Sequence, residues 1–151
     1  MDISLKLTLH QKCIEIIDNQ LNGIEQSIQE AQDAANNETK SSAGDKHEIG
    51  RAMAQLETEK LTSQLTSSLK LKETLSRINP KIINQQIGLG SFIKTNHGLF
   101  YLSIGLGKII INQTEIIVIS HISPLGKIFI NKKEKESFSF HNTNYLIEKI
   151  I

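Results

Sequence analysis

The sequence predicts an α+β protein: an antiparallel two-helix coiled-coil hairpin followed by a small β-rich domain with one short helix. Three observations predict this class. Apolar residues recur at alternating steps of three and four through the first half, the period changes to two afterwards, and Asn79-Pro80 separates the halves. We therefore predict a hairpin over residues 1–79 with its tip at about 38–48, a linker over 80–86 and a C-terminal domain over 87–151.

Composition narrows the class of protein. The 151 residues include 38% hydrophobic and 5% aromatic residues and no Trp, which suits a two-helix seam plus a small domain better than one large core. The formal net charge is +1, so no overall field selects a nucleic acid or a membrane surface. Cys13 is the single cysteine, so no disulfide within the chain is possible. No apolar run has the length of a membrane span and the start lacks a signal-peptide pattern, so we expect a cytoplasmic protein.

The first helix is predicted from about His10 to Asn37. Residues 1–9 alternate apolar and polar side chains, and of a short strand or an irregular lead-in we favour the lead-in. Within the helix the apolar positions follow a heptad pattern, which predicts a seam against a second helix. These seam positions are Ile14, Ile17, Leu21, Ile24, Ile28, Ala31 and Ala35.

The second helix is predicted from about Lys46 to Ile78. Its apolar stripe slips by about one residue around Glu57–Lys60, so a bend or a shift of contacts is expected there. The short connection between the helices forces antiparallel pairing, and an acidic first helix facing a basic second helix favours it. The predicted apolar face comprises Ile49, Ala52, Met53, Leu56, Leu61, Leu65, Leu69, Leu71, Leu75 and Ile78.

From Ile87 onward, short runs rich in Ile, Phe and Val alternate with turn residues, which predicts five or six strands. The pattern breaks at Pro124–Ile130, where Ser123 as a cap and Pro124 at the first helical position predict a short helix. The predicted strands are Gly90–Thr95, Leu99–Ile104, Lys108–Ile111, Glu115–Ser120, Ser137–Phe140 and Tyr145–Ile150.

The candidate chemistry lies at the hairpin tip, where Asp45 and Glu48 are spaced i, i+3. This is the spacing of a capping box, and both charges suit a helix N-terminus. It is also a pair of oxygen ligands of the kind that Mg²⁺ takes from proteins, and the two roles are compatible. Lys40, Lys46 and Arg51 flank the tip and are either solvated charges or contacts for phosphates. The five histidines form no metal-binding spacing.

The layout and two motifs resemble the Gre family of bacterial transcript-cleavage factors. Gly44-Asp45-x-x-Glu48 matches the family's Gly-Asp-x-x-Glu at the hairpin tip, and the stretch Ile49–Glu57 resembles the start of its second helix. Ser123-Pro124-Leu125-Gly126-Lys127 is similar to its Ser-Pro-aliphatic-Gly-basic motif. The likeness in architecture covers the whole chain.

The resemblance implies a C-terminal domain with the fold of FK506-binding proteins (FKBP-like) that docks on RNA polymerase through Ser123, Pro124, Leu125, Gly126 and Lys127. The hairpin then enters the polymerase's secondary channel, where Asp45 and Glu48 share a Mg²⁺ ion with the polymerase at the 3′ end of backtracked nascent RNA. On this interpretation the protein is a monomer with no cofactor of its own. It is not an enzyme by itself, because it stimulates the hydrolytic activity of the polymerase.

The sequence departs from the family pattern at three places. Two glycine positions of the family are Asn131 and Lys135 here, and of the two Asn adopts a left-handed backbone more readily. A polar pair beside the tip glutamate is replaced by Ile49-Gly50.

Two other functions stay open. One is a channel-binding regulator or inhibitor that does not support cleavage. The other is a peptidyl-prolyl isomerase, which requires an aromatic-lined pocket in residues 87–151. We expect strand alternation to use most of the domain's aromatic side chains in the core instead. The candidates for such a pocket are Phe92, Phe100, Tyr101, Phe129, Phe138, Phe140 and Tyr145.

Overall fold

The computed structural model describes residues 1–39 and 44–151, with the backbone alone at 38–39 and 44–47. Helices α1 (Ile3–Thr39) and α2 (Gly44–Ser76) pack against each other and precede a six-stranded sheet. The α+β class is therefore confirmed. The remaining elements are β1 (Phe92–Thr95), β2 (Gly98–Ser103), β3 (Gly107–Ile111), β4 (Thr114–Ser120), α3 (Pro124–Phe129), β5 (Ser137–Phe140) and β6 (Thr143–Ile150).

Helix α1 begins at Ile3, so the predicted irregular lead-in over residues 1–9 is wrong. Asp2 caps the helix, because its Oδ1 accepts a hydrogen bond from the backbone N–H of Leu5 at 2.8 Å. The buried side chains Leu9, Cys13 and Ile17 then follow at steps of four. The alternation of apolar residues near the start is therefore a coincidence of composition, and the helical period holds throughout.

The chain forms two compact units. One comprises Glu15–Lys72, the larger part of both long helices, and the other comprises Met1–Ile14 together with Glu73–Ile151. In the helical unit, Lys72 Nζ lies 2.7 Å from Asp18 Oδ1, which joins a basic position on α2 to an acidic position on α1 as expected for antiparallel pairing. Both side chains are about half exposed, so the pair contributes little to stability.

The seam of α1 lies where the heptad pattern predicts it, but the tip-proximal part of α2 uses a different face. Ile49, Met53 and Leu56 are 61%, 66% and 65% exposed, so their predicted place in the seam is wrong. The same holds for the exposed Ala52 and for Leu69, which is 49% exposed. Half-buried positions instead run through Gly50 and Ala54. Ala31 and Ala35 are the half-buried seam residues in the last turns of α1 before the tip. The seam is thus built from small residues near the tip, and the large apolar residues in this part of α2 lie outside it.

The sheet has the strand order β3-β4-β2-β1-β6-β5. Strands β2 and β4 pair in parallel, with Phe100 opposite Ile117, and all other neighbours are antiparallel. The six strands and α3 lie within about two residues of their predicted bounds. Ser123 caps α3 and Pro124 occupies its first turn, which confirms that part of the prediction.

The central strands β1 and β2 are largely buried on both faces. On one face, Phe129 of α3 joins a core cluster that includes Ile93, Phe100 and Leu102. The alternate residues of the same strands point to the other face, and among them Tyr101 is fully buried. A hydrogen bond between Tyr101 and a side chain of α1, described below, places the start of that helix on this second face.

Asn131 and Lys135, the two positions where the resemblance predicts a left-handed backbone, have φ angles of 68° and 72°. The expectation is therefore confirmed at both residues. A lysine with a left-handed backbone is strained relative to glycine or asparagine. At Lys135 the chain therefore keeps the turn geometry without the glycine that this backbone favours.

Candidate functional site

The two tip carboxylates lie at the start of α2. Asp45 is the second residue of that helix and Glu48 the fifth, so the i, i+3 spacing falls on helical backbone. The side chain of Glu48 is exposed. The side chain of Asp45, and with it the predicted capping box, lies outside the described residues.

The flanking cations are described unequally. Lys40 and the side chain of Lys46 lie outside the described residues. Arg51 is exposed and lines an open groove of about 460 Å³ between the two helices. The floor of this groove contains Ala35 and Ala54, whose small side chains leave the space, and Gln55 in its wall donates a hydrogen bond to Glu59.

The predicted docking segment has two structural residues and two exposed ones. Ser123 Oγ accepts from the backbone N–H of Gly126 at 3.1 Å and donates to the carbonyl of Ser120 at 2.6 Å. Gly126 is buried, whereas Pro124 and Lys127 are exposed. The segment therefore forms the tight turn at which α3 begins, and it exposes the ring of Pro124 and the positive charge of Lys127.

The partly buried Leu125 packs against the core cluster, so the inner side of the segment is fixed to the sheet. Ile122 is 67% exposed. It opens the stretch that resembles the Gre family motif, and it lies two residues beyond the end of β4. The surface of this segment is apolar at two residues and basic at one.

Sequence reasoning missed a buried polar cluster at the start of α1. Lys6 is 1% exposed, and its ammonium donates to the carbonyls of Ile82 and Ile151 at 2.7 and 3.0 Å. The Nδ1 atom of His10 lies 2.8 Å from the hydroxyl of Tyr101. No motif signals this cluster, since a lysine within an amphipathic pattern normally indicates the solvent face.

Burial sets the protonation of the cluster. Desolvation lowers the pKa of Lys6 to about 8. Desolvation and the nearby positive charge of Lys6 both lower the pKa of His10. Desolvation raises the pKa of Cys13 to about 12 and also raises the pKa of Tyr101. Cys13 is thus a buried, unreactive thiol, and between pH 7.5 and 10 Lys6 is the member of this cluster that titrates in the folded protein.

Lys6 is expected to make the protein more stable as the pH rises from 7.5 to 10. Its folded pKa of about 8 lies below the unfolded value of 10.5, so over this window the unfolded state binds more protons than the folded state. Lys6 alone then contributes about 2 kcal/mol to the change in the free energy of unfolding between these pH values. Cys13 and Tyr101 contribute in the opposite direction, because their pKa values are raised in the folded state and their unfolded forms lose protons in this window. Urea unfolding at both pH values isolates the Lys6 contribution as the difference between wild type and variant. Lys6→Met should lower the change between pH 7.5 and 10 by about 2 kcal/mol relative to the wild type, whereas Lys81→Met, which changes an exposed lysine, should leave it unchanged. The same change in the wild type and in Lys6→Met would contradict the assignment.

Most of the candidate aromatic side chains belong to the core. Phe92, Phe100, Tyr101 and Phe129 are at most 3% exposed, which confirms the expectation from strand alternation. Phe138 and Tyr145 are partly buried and stack on each other, with ring centroids 5.1 Å apart.

Among the side chains that the structure describes, those of residues 1–37 and 48–151, no group of three or more His, Cys, Asp or Glu is placed to hold a metal ion. No described helix combines the length and the apolar character needed to cross a membrane. No protein-family model and no curated protein matches this chain.

Proposed function

We propose that the protein is a transcription elongation factor that binds RNA polymerase and stimulates Mg²⁺-dependent cleavage of backtracked nascent RNA. The observation that carries the proposal is the position of Asp45 and Glu48 at the first turns of α2, where the helical hairpin reverses, with Glu48 exposed. The resemblance to the Gre family supports it through the same residues and through the segment Ser123–Lys127. The protein acts in the cytoplasm as a monomer and is not an enzyme alone.

The hairpin suits the delivery of charged groups into a narrow cavity. Helices α1 and α2 contain 37 and 33 residues, which corresponds to about 55 and 50 Å of helix. Each helix satisfies its own backbone N–H and C=O groups along its length, so the body of the hairpin can enter a channel without exposing unpaired peptide groups. Helix α2 fixes the backbone positions of both carboxylates, which reduces the entropy lost when they bind a ligand.

The two carboxylates fit a shared magnesium site and do not form a complete one. Mg²⁺ is commonly bound by one or two carboxylates while its other positions hold water or substrate oxygens, so Asp45 and Glu48 would supply two ligands and the polymerase the rest. Such an ion, when bound, stabilises the attacking and leaving oxygens of the phosphodiester. The role of this chain is to hold two negatively charged oxygens at a site where the polymerase has too few oxygen ligands for the ion.

The β domain would provide the docking surface. Pro124 and Lys127 are exposed at the entry to α3, while Ser123 and Gly126 keep that entry in one conformation. An exposed proline ring beside a lysine fits a surface that is apolar with acidic residues at its rim. Arg51 near the tip is available for a phosphate contact.

RNA cleavage in a purified, backtracked elongation complex from the matching polymerase tests the proposal. The wild-type protein is expected to bind the complex and to shorten the transcript from its 3′ end well above the intrinsic rate of the polymerase. Binding with cleavage at the intrinsic rate would replace the proposal by a channel-binding regulator. The absence of binding would contradict both functions.

A further inference from the structure

Helix α2 carries an exposed apolar stripe formed by Ile49, Met53 and Leu56, here named the outer stripe. Its members are spaced i, i+4, i+7, which places them on one face of the helix. They are 61%, 66% and 65% exposed. The half-buried Gly50 and Ala54 mark the face that meets α1, and helical geometry places the outer stripe on a neighbouring face, roughly 100° around the helix from it.

The outer stripe is large enough to be a recognition surface. Three aliphatic side chains at this exposure present on the order of 400 Å² of surface, within the range of the largest patches on monomeric proteins, which are often functional. Amphipathic helices that bind grooves use anchors at this spacing. In the described part of the chain these three residues stay open to solvent.

A second copy of this chain is a poor occupant. Two outer stripes pressed together bury roughly 800 Å², against about 1,200 Å² for the smallest stable interfaces. An antiparallel two-fold pairing of the stripes also brings Glu48 of one copy close to Glu57 of the other, because their sequence positions are symmetric about the stripe. Like charges at this separation repel each other.

The position of the outer stripe identifies a better occupant. Ile49 directly follows Glu48, and Leu56 lies about 12 Å from Glu48 along the helix axis. A cavity that receives the carboxylate of Glu48 must therefore also receive the stripe. We propose, on the basis of the proposed function, that the outer stripe docks into an apolar groove in the wall of the polymerase channel and so holds the hairpin in place.

Binding and cleavage should respond differently to changes in the outer stripe. The triple variant Ile49→Gln, Met53→Gln, Leu56→Gln keeps residues that favour a helix and removes the apolar anchors. We expect its dissociation constant for the polymerase to rise by about tenfold or more, with cleavage restored at saturating protein. Leu69→Gln is the matched control, because Leu69 is a half-exposed leucine of the same helix outside the stripe, and it should bind like the wild type.

Two outcomes would overturn this inference alone, and a third would overturn the proposed function with it. If the wild type binds and the triple variant binds equally well, the docking proposal is wrong while the proposed function stands. If the wild type self-associates at micromolar concentration in sedimentation and the triple variant does not, the occupant is a second copy. If the wild type does not bind polymerase, the proposed function itself fails.

Discussion

Glu48→Gln is expected to reduce factor-stimulated cleavage of backtracked RNA by about a hundredfold, while the affinity for the polymerase stays unchanged. The substitution keeps the size of the exposed side chain and removes its charge. A neutral amide is a weaker ligand for Mg²⁺ than a carboxylate, and losing one preorganised charged group at a reacting centre typically costs this much. Single-turnover cleavage at saturating protein measures the effect, and a separate binding assay shows that the hairpin still enters.

Asp45→Asn should produce a loss of similar size, and the double variant should lose little more. Residues that act as one unit are not additive, because removing either ligand already disables the shared site. Glu57→Gln is the matched control: it makes the same change in charge at an exposed position of the same helix. Equal loss in the control would show that the effect is one of overall charge, and undiminished cleavage in Glu48→Gln would exclude a role as a metal ligand.

The fold was predictable where the local signals are strong. Ser123 and Pro124 define the start of α3 in the sequence because a hydroxyl cap and a proline at the first helical position satisfy the same backbone requirement. The glycine positions occupied by Asn131 and Lys135 were also predictable. There the turn imposes the backbone angle regardless of the side chain.

The seam of α2 was not predictable from its apolar pattern alone. The helix has two candidate apolar stripes near the tip, and the choice between them depends on the partner helix. Because α1 presents Ala31 and Ala35 in this region, the backbones approach through Gly50 and Ala54. Ile49 therefore lies outside the seam, although the apolar pattern of the helix predicts it inside.

The buried cluster was unpredictable for a different reason. Lys6 is buried because two backbone carbonyls, from Ile82 and Ile151, accept its hydrogen bonds, and these acceptors lie far away in sequence. The position of a lysine in the sequence carries no information on such distant partners. For the tip, the sequence provides the spacing of Asp45 and Glu48, and the structure adds the helical backbone and the exposure of Glu48.

Gly126→Ala is expected to destabilise the β domain by at least about 3 kcal/mol. A Cβ atom at this position would lie 2.0 Å from the backbone oxygen of Ser120 and 2.9 Å from Ser123 Oγ. Neither neighbour can withdraw at low cost. The Ser120 oxygen accepts hydrogen bonds from both the hydroxyl and the backbone N–H of Ser123, and Ser120 is the last residue of β4.

The clash would also reach the core, because α3 cannot move outward without withdrawing Phe129. That ring is fully buried and packs 5.3 Å from Phe100, between ring centroids. Gly88→Ala is the matched control, since an added Cβ there meets nothing within 4 Å. Urea unfolding of both full-length variants should show an early transition for Gly126→Ala alone. Wild-type stability in that variant would mean that Gly126 is present for recognition and not for packing, and polymerase binding would then be the property that it loses.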